Sequence, residues 1–188
     1  MGDGADASGV QPRTLVLIGL TGAGKSTLGR CLARQLALPF VDSDHEIEAA
    51  ARMSIDDLFA TYGEAAFRQG EARVLARLVD GRPKVLAAGG GAVLSAETRA
   101  LLAARAFTVW VRMDVEAIVE RLGSRRARPV LAGDDMASAL RRLAAEREPL
   151  YARADLTFDV DKVESPAAEL AAQLRARLPW LRSGNLGA

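Results

Sequence analysis

One glycine-rich segment has the residue types and the spacing of a phosphate-binding loop. Residues 19–26 read GLTGAGKS and match the pattern G-x-x-x-x-G-K-[ST], whose backbone N–H groups point inward at phosphate oxygens. Lys25 would reach the β- and γ-phosphates of a nucleotide, and the hydroxyl of Ser26 would ligate Mg²⁺. An apolar β-branched stretch precedes the loop and an apolar-periodic one follows, which favours this function over a turn that merely joins a strand to a helix. The residues predicted to bind nucleotide here are Gly22, Ala23, Gly24, Lys25, Ser26 and Thr27.

Two carboxylates, Asp42 and Asp44, follow the second predicted strand. In a parallel sheet the carboxyl ends of the strands form the ligand-binding edge, and strand alternation predicts that both side chains point toward the phosphate loop. One carboxylate could hold Mg²⁺ through water, while the other accepts a proton or a hydrogen bond from a substrate hydroxyl. The alternative is that Ser43 or Asp44 only caps the next helix.

Charged residues interrupt two apolar helix faces. Glu71 falls within an apolar stripe with Arg68 three residues earlier, and Arg147 lies in the middle of the apolar face of a later helix, which Pro149 is predicted to end. A buried carboxylate is costly unless it is paired, so we expect Glu71 to fix the guanidinium of Arg68. Two readings stay open from the pattern alone: structural ion pairs, or two arginines that converge on an anionic substrate.

Three consecutive glycines, Gly89, Gly90 and Gly91, end the third predicted strand. Phosphate-loop proteins often carry an aspartate near this position. Glycines here would let the backbone approach a ligand closely, and the alternative is a permissive turn into the next helix.

A long arginine-rich loop covers about residues 123–135. A loop of this length in a compact domain is often a lid, and a kinase needs a mobile cation to neutralise the transferring phosphoryl group. Arg128 is predicted to be that cation. The alternative is a solvated basic loop.

The elements that must position these groups alternate regularly along 188 residues. Five short apolar strands alternate with helices, which predicts one α/β domain with a parallel sheet covered on both faces. We expect a flexible tail over residues 1–12, one domain over 13–180 and a C-terminal tail over 181–188.

The composition limits the classes of binding partner and the cellular compartment that we expect. The net charge of +1 gives no basic excess for nucleic acid, and we see neither an apolar run that would span a bilayer nor a signal peptide. A single cysteine excludes an internal disulfide framework and fits a reducing cytoplasm, and a single histidine leaves no Cys/His zinc site.

Taken together, these motifs resemble the shikimate kinase family. The matching pieces are GLTGAGKSTLGRCLA, FVDSDHEIE, GEAAFRQGE, VLAAGGGAV, RARPVLAG and REPLYARAD, which span about residues 14–155 in the family's order. The resemblance implies a nucleoside-monophosphate-kinase-like fold with strand order 2-3-1-4-5. It also implies transfer of the ATP γ-phosphate to the 3-hydroxyl of shikimate, with Mg²⁺, in chorismate and aromatic amino-acid biosynthesis. We further expect a cytoplasmic protein and a monomer.

The resemblance also gives each residue a role. Lys25 holds phosphates and Ser26 ligates Mg²⁺ with Asp42 nearby, while Asp44 binds the shikimate hydroxyls and is the candidate base. Arg68 and Arg147 bind the shikimate carboxylate, and Glu71 supports Arg68. The substrate site is also lined by Gly89, Gly90 and Gly91. Arg128 is the lid cation, and adenine is flanked by Arg121 and Pro166.

Two rivals remain, a related phosphate-loop kinase and a protein of another class. A gluconate kinase also phosphorylates an anionic polyol, but the segment after Asp44 lacks that family's His-rich, Asn-containing stretch. A regulatory nucleotide-binding module without turnover is disfavoured because Lys25, Asp42, Asp44 and Arg128 are all present.

Overall fold

A computed structural model describes residues 11–123 and 136–182, and within them the chain forms a five-stranded parallel sheet covered by helices. The strands are β1 (Thr14–Ile18), β2 (Phe40–Asp42), β3 (Val85–Ala87), β4 (Ala106–Arg112) and β5 (Leu156–Asp159). The helices are α1 (Lys25–Leu36), α2 (Ser43–Ala51), α3 (Ile55–Leu78), α4 (Ala96–Arg105), α5 (Val115–Gly123), α6 (Met136–Tyr151) and α7 (Pro166–Arg177).

The strand order is β2-β3-β1-β4-β5, which confirms the predicted fold class and topology. β1 lies at the centre, where it pairs in parallel with β3 and with β4, and all five of its residues are buried. Strands buried on both faces are mostly apolar, which explains the continuous apolar run over residues 15–18 of β1. The loops at the carboxyl ends of β1, β2 and β3 therefore meet at one edge of the sheet.

Two helices depart from simple geometry. Gly63 has φ 75° and ψ 170° inside α3, so the long helix is bent there. The prediction that Pro149 ends its helix is wrong, because α6 continues to Tyr151. Proline already has a helical φ and removes only one intrahelical hydrogen bond, and the fully buried Tyr151 stabilises the last turn.

The C-terminal end of the described chain contributes to the hydrophobic core. Ser165 stands at the N-cap of α7, but its side chain makes no capping hydrogen bond. The final turn, Pro179–Leu181, buries Trp180 and Leu181 in the core, one residue past the predicted domain end. Residues 1–10, 124–135 and 183–188 lie outside the described residues, and with them most of the predicted tails and lid. No helix in the described ranges is long and apolar enough to cross a membrane.

Candidate active site

The phosphate loop takes the form that its glycines predict. Gly22 and Gly24 have φ of 90° and 86°, values that residues with a side chain rarely adopt, and α1 begins directly afterwards at Lys25. The Lys25 ammonium is largely buried and donates to the carbonyl oxygens of Gly19 at 2.8 Å and Leu20 at 2.9 Å. The loop therefore presents the amino end of α1 and an internal ammonium on one side, an arrangement that attracts phosphate.

A pair of oxygen-bearing side chains stands beside this loop. The Ser26 hydroxyl donates to Oδ2 of Asp42 at 2.6 Å, which joins the first turn of α1 to the end of β2. Oδ1 of Asp42 accepts from the backbone N–H of Asp44 at 3.1 Å and caps α2. A hydroxyl and a carboxylate are hard oxygen ligands of the kind that Mg²⁺ prefers, so these two residues fit that ion.

The predicted alternation of Asp42 and Asp44 is wrong. The strand ends at Asp42 and Asp44 already belongs to α2, so the period of two does not relate the two side chains. The helix instead carries Asp44 to the end of β3. A Cβ added to Gly89 would lie 2.7 Å from Oδ1 of Asp44 and 2.7 Å from Oε1 of Glu71, so this glycine leaves room for both carboxylates.

The other two glycines provide space in the same way. A Cβ on Gly90 would lie 2.8 Å from the Oγ1 of Thr21 in the phosphate loop, and a Cβ on Gly91 would collide with the guanidinium of Arg68. None of the three has a left-handed φ. We predicted that they would let the backbone approach a ligand, and the structure shows that they let protein side chains approach the backbone.

Arg68 and Glu71 form the ion pair predicted from the helical pattern. Nη1 of Arg68 donates to Oε2 of Glu71 at 2.7 Å, and Glu71 is only 2% exposed. Burial raises the pKa of Glu71, while the adjacent Arg68 guanidinium opposes that rise. The guanidinium also lies over the rings of Phe59 and Phe67, with 5.6 Å and 5.2 Å from its Cζ to the ring centroids. An ion pair and two aromatic rings thus fix the position of the Arg68 guanidinium in the site.

Arg147 approaches the same place from α6. Its Nε–H is buried and has no hydrogen-bond partner within the described part of the chain. Tyr151, one turn later, is fully buried, donates to the Gly90 carbonyl oxygen at 2.5 Å and also hydrogen-bonds Arg147. Burial raises the pKa of Tyr151 to about 12, so this hydroxyl stays protonated.

These groups surround one cavity of about 390 Å³ beside the phosphate loop. Its walls include every predicted substrate residue: Asp44, Arg68, Glu71, Gly89, Gly90, Gly91 and Arg147. It also includes residues that we had not assigned to the site: Thr21, Ile55, Asp56, Phe59, Glu64, Phe67 and Leu143. Glu64 could have been found, because it precedes Arg68 by one helical turn. Ile55 and Asp56 carried no such signal, since only the packing of α3 brings its first turn to the cavity.

The other predicted nucleotide-binding residues lie on several elements, and one of them lies outside the described residues. Arg121, on α5, lies against Gly24, where an added Cβ would be 2.8 Å from its Nη1. Thr27 is exposed in the first turn of α1, and Pro166 is half-buried at the first position of α7. Arg128 lies outside the described residues.

A phosphate loop on a 2-3-1-4-5 parallel sheet, with an arginine-lined cavity next to it, defines a phosphate-loop kinase of a small acidic molecule. The family model of shikimate kinase matches residues 21–179. The chain is 55% identical to the shikimate kinase of Nitrobacter winogradskyi over 145 residues, 77% of this chain and 68% of that one. It is 46% identical to the shikimate kinase of Brucella canis over 178 residues, 93% of this chain and 88% of that one.

A solved structure agrees with these sequence matches. Shikimate kinase from Acinetobacter baumannii, in complex with shikimate, superposes with a TM-score of 0.80 at 36% identity, over 89% of this chain and 93% of that one. The chain belongs to the shikimate kinase family.

Proposed function

We infer that the chain transfers the γ-phosphate of ATP to the 3-hydroxyl of shikimate, which yields shikimate 3-phosphate and ADP in aromatic amino-acid biosynthesis. Family membership supports the activity. The observation that carries the substrate assignment is the convergence of Arg68 and Arg147 on one cavity, with a buried Nε–H of Arg147 that lacks a partner in the described residues. A planar guanidinium matches the two oxygens of a carboxylate.

The cavity gives each side chain a distinct task. Arg68 and Arg147 grip the shikimate carboxylate, and Asp44 accepts hydrogen bonds from the ring hydroxyls at the end nearer the phosphate loop. Because phosphoryl transfer has a loose transition state, alignment of the attacking hydroxyl contributes more than its deprotonation. Asp44 therefore acts chiefly as a positioning carboxylate that can also take the proton.

The phosphate side depends on the loop and its neighbours. Lys25 already points its ammonium along the inside of the loop, where it neutralises charge that develops on the transferring phosphoryl group. Arg121 lies against Gly24 and would cover the nucleotide together with Pro166 in the first turn of α7. Arg128 is proposed as the cation that completes this charge neutralisation.

Ser26 and Asp42 would hold Mg²⁺, which would supply charge neutralisation at the phosphates. This ion commonly binds through one or two protein oxygens together with phosphates and water, so a hydroxyl and a carboxylate suffice. The described residues contain no group of three or more His, Cys, Asp or Glu side chains that could hold a metal. We further propose that the enzyme works as a monomer in the cytoplasm.

An ADP-release assay with three conditions tests this proposal. Purified enzyme with Mg-ATP should release ADP rapidly with shikimate and at background rate with gluconate or with no acceptor. Rapid release with gluconate would instead indicate a sugar-acid kinase. Background release in all three conditions would indicate a nucleotide-binding module without turnover.

A further inference from the structure

The carboxylate-binding edge of Arg68 is occupied by a carboxylate of the protein itself. Nε and Nη2 of Arg68 both donate to Oε1 of Glu64, at 3.3 Å and 3.2 Å. These two nitrogens form one of the paired N–H edges through which an arginine binds a carboxylate in bidentate fashion. Glu71 takes a different nitrogen, Nη1. Glu64 therefore stands where part of a substrate carboxylate could bind.

The two glutamates that contact Arg68 differ in how firmly they are held. The Glu71 side chain is 3% exposed, so breaking its ion pair would leave a buried charge, whereas the Glu64 side chain is 61% exposed and can return to water. Glu64 also follows Gly63 directly, at the bend of α3. The contact from Glu64 is accordingly the one that a ligand can displace.

The charge of the cavity strengthens this argument. Its walls carry four carboxylates, from Asp44, Asp56, Glu64 and Glu71, against the two guanidiniums of Arg68 and Arg147. An anionic substrate thus enters a cavity whose acidic groups outnumber its basic ones. Glu64 is the acidic group that occupies the Arg68 edge at which a substrate carboxylate could bind.

We propose that Glu64 is an internal competitor for the carboxylate site: it occupies the Nε–Nη2 edge of Arg68 and must leave when the acidic substrate binds. This inference rests on the proposed function, because it takes the substrate carboxylate to bind Arg68. Glu64 thereby weakens substrate affinity, whereas Glu71, which supports the same arginine, strengthens it. If Glu64 instead supported Arg68 structurally, its removal should weaken substrate binding.

Calorimetric titration of shikimate and of its methyl ester into three proteins tests the proposal. Glu64→Gln should bind shikimate about three- to tenfold more tightly than the wild type, because a weak ion pair and a like charge are removed. Its affinity for the neutral ester should change less than twofold. Glu116→Gln is the matched control, since Glu116 is also 61% exposed and accepts from Nε and Nη2 of Arg141 through a single oxygen. It should change neither affinity.

The outcomes distinguish the competitor role of Glu64 from the proposed function of the enzyme. Wild-type protein that binds shikimate, with Glu64→Gln binding it equally or more weakly, would overturn the competitor role alone. Equal tightening for shikimate and its ester would also overturn that role, because the effect would not depend on a substrate carboxylate. Wild-type protein that fails to bind shikimate would overturn the proposed function and the competitor role together.

Discussion

The hydroxyl of Tyr151 donates a 2.5 Å hydrogen bond to the carbonyl oxygen of Gly90, 61 positions earlier in the chain. Tyr151 ends α6, the helix that carries Arg147, and Gly90 lies in the glycine turn after β3. The bond thus fixes the arginine-bearing helix to the turn against which Asp44, Thr21 and Arg68 pack. One buried hydroxyl holds two walls of the cavity together.

Tyr151→Phe should lower the free energy of unfolding by about 0.5–1.5 kcal/mol, because it removes the hydrogen bond to the partly buried carbonyl oxygen of Gly90. Shikimate affinity should fall while Mg-ATP affinity stays unchanged. Urea unfolding and calorimetry measure the two effects. Tyr62→Phe is the control, since Tyr62 is 61% exposed, and it should change stability by less than about 0.5 kcal/mol. Equal effects of the two substitutions would contradict the role of this bond.

Gly91→Ala should weaken shikimate binding by at least about tenfold, because the new methyl group would occupy the space of the Arg68 guanidinium and displace it. Mg-ATP affinity should remain close to that of the wild type. Gly70→Ala serves as control, since its added Cβ meets no atom within 4 Å in α3. That change should stabilise the protein by about 0.5–1 kcal/mol. Unchanged shikimate binding by Gly91→Ala would show that Arg68 does not need this position.

The raised pKa of Glu71 predicts a specific pH dependence. Between its ordinary value of 4.5 and its higher value in the folded protein, the folded state binds more protons than the unfolded state. The stability that this group contributes is therefore present below pH 4.5 and is lost as the pH rises through the folded-state pKa. Glu71→Gln cannot titrate, so the wild type minus variant difference in unfolding free energy should decrease from pH 4 to pH 7. A difference that grows with pH would contradict the cause given for the shift.

Lys25→Ala should reduce kcat by more than about tenfold, or about 1.4 kcal/mol in the barrier, because we propose that the ammonium stabilises charge on the transferring phosphoryl group. Steady-state ADP release at saturating substrates measures the loss. Lys84→Ala is an informative contrast, since Lys84 precedes β3 at the far end of the sheet and bonds Asp80 and the Leu78 carbonyl. It should lower stability and retain kcat. Near-normal turnover by Lys25→Ala would remove Lys25 from the catalytic groups.

Sequence patterns predicted those features that depend on local spacing. The phosphate loop and the Arg68–Glu71 pair followed from residues close together in the chain. The strand order was implied by the family resemblance. Long-range relationships did not follow. The Tyr151–Gly90 bond joins residues far apart, and the space above Gly91 is defined by a side chain from α3.

Two predictions failed because a local rule was carried across a boundary. Strand alternation was applied to Asp44, but β2 ends at Asp42 and a helix begins at the next residue. Proline was taken to end α6 at Pro149, but packing of the buried Tyr151 outweighs the loss of one hydrogen bond. The first case was decided locally, because Oδ1 of Asp42 accepts from the Asp44 N–H and caps α2. The second depended on the tertiary packing of Tyr151, which a single sequence does not display.

We propose that Arg68 and Arg147 together form the site of the substrate carboxylate, and calorimetric titration of Arg68→Lys and Arg147→Lys tests this directly. Lysine keeps the charge but loses the planar fork, so each variant should bind shikimate about 1–3 kcal/mol more weakly and bind Mg-ATP like the wild type. Equal losses for both ligands, or a loss confined to Mg-ATP, would contradict the claim and assign these arginines to the fold or to the nucleotide.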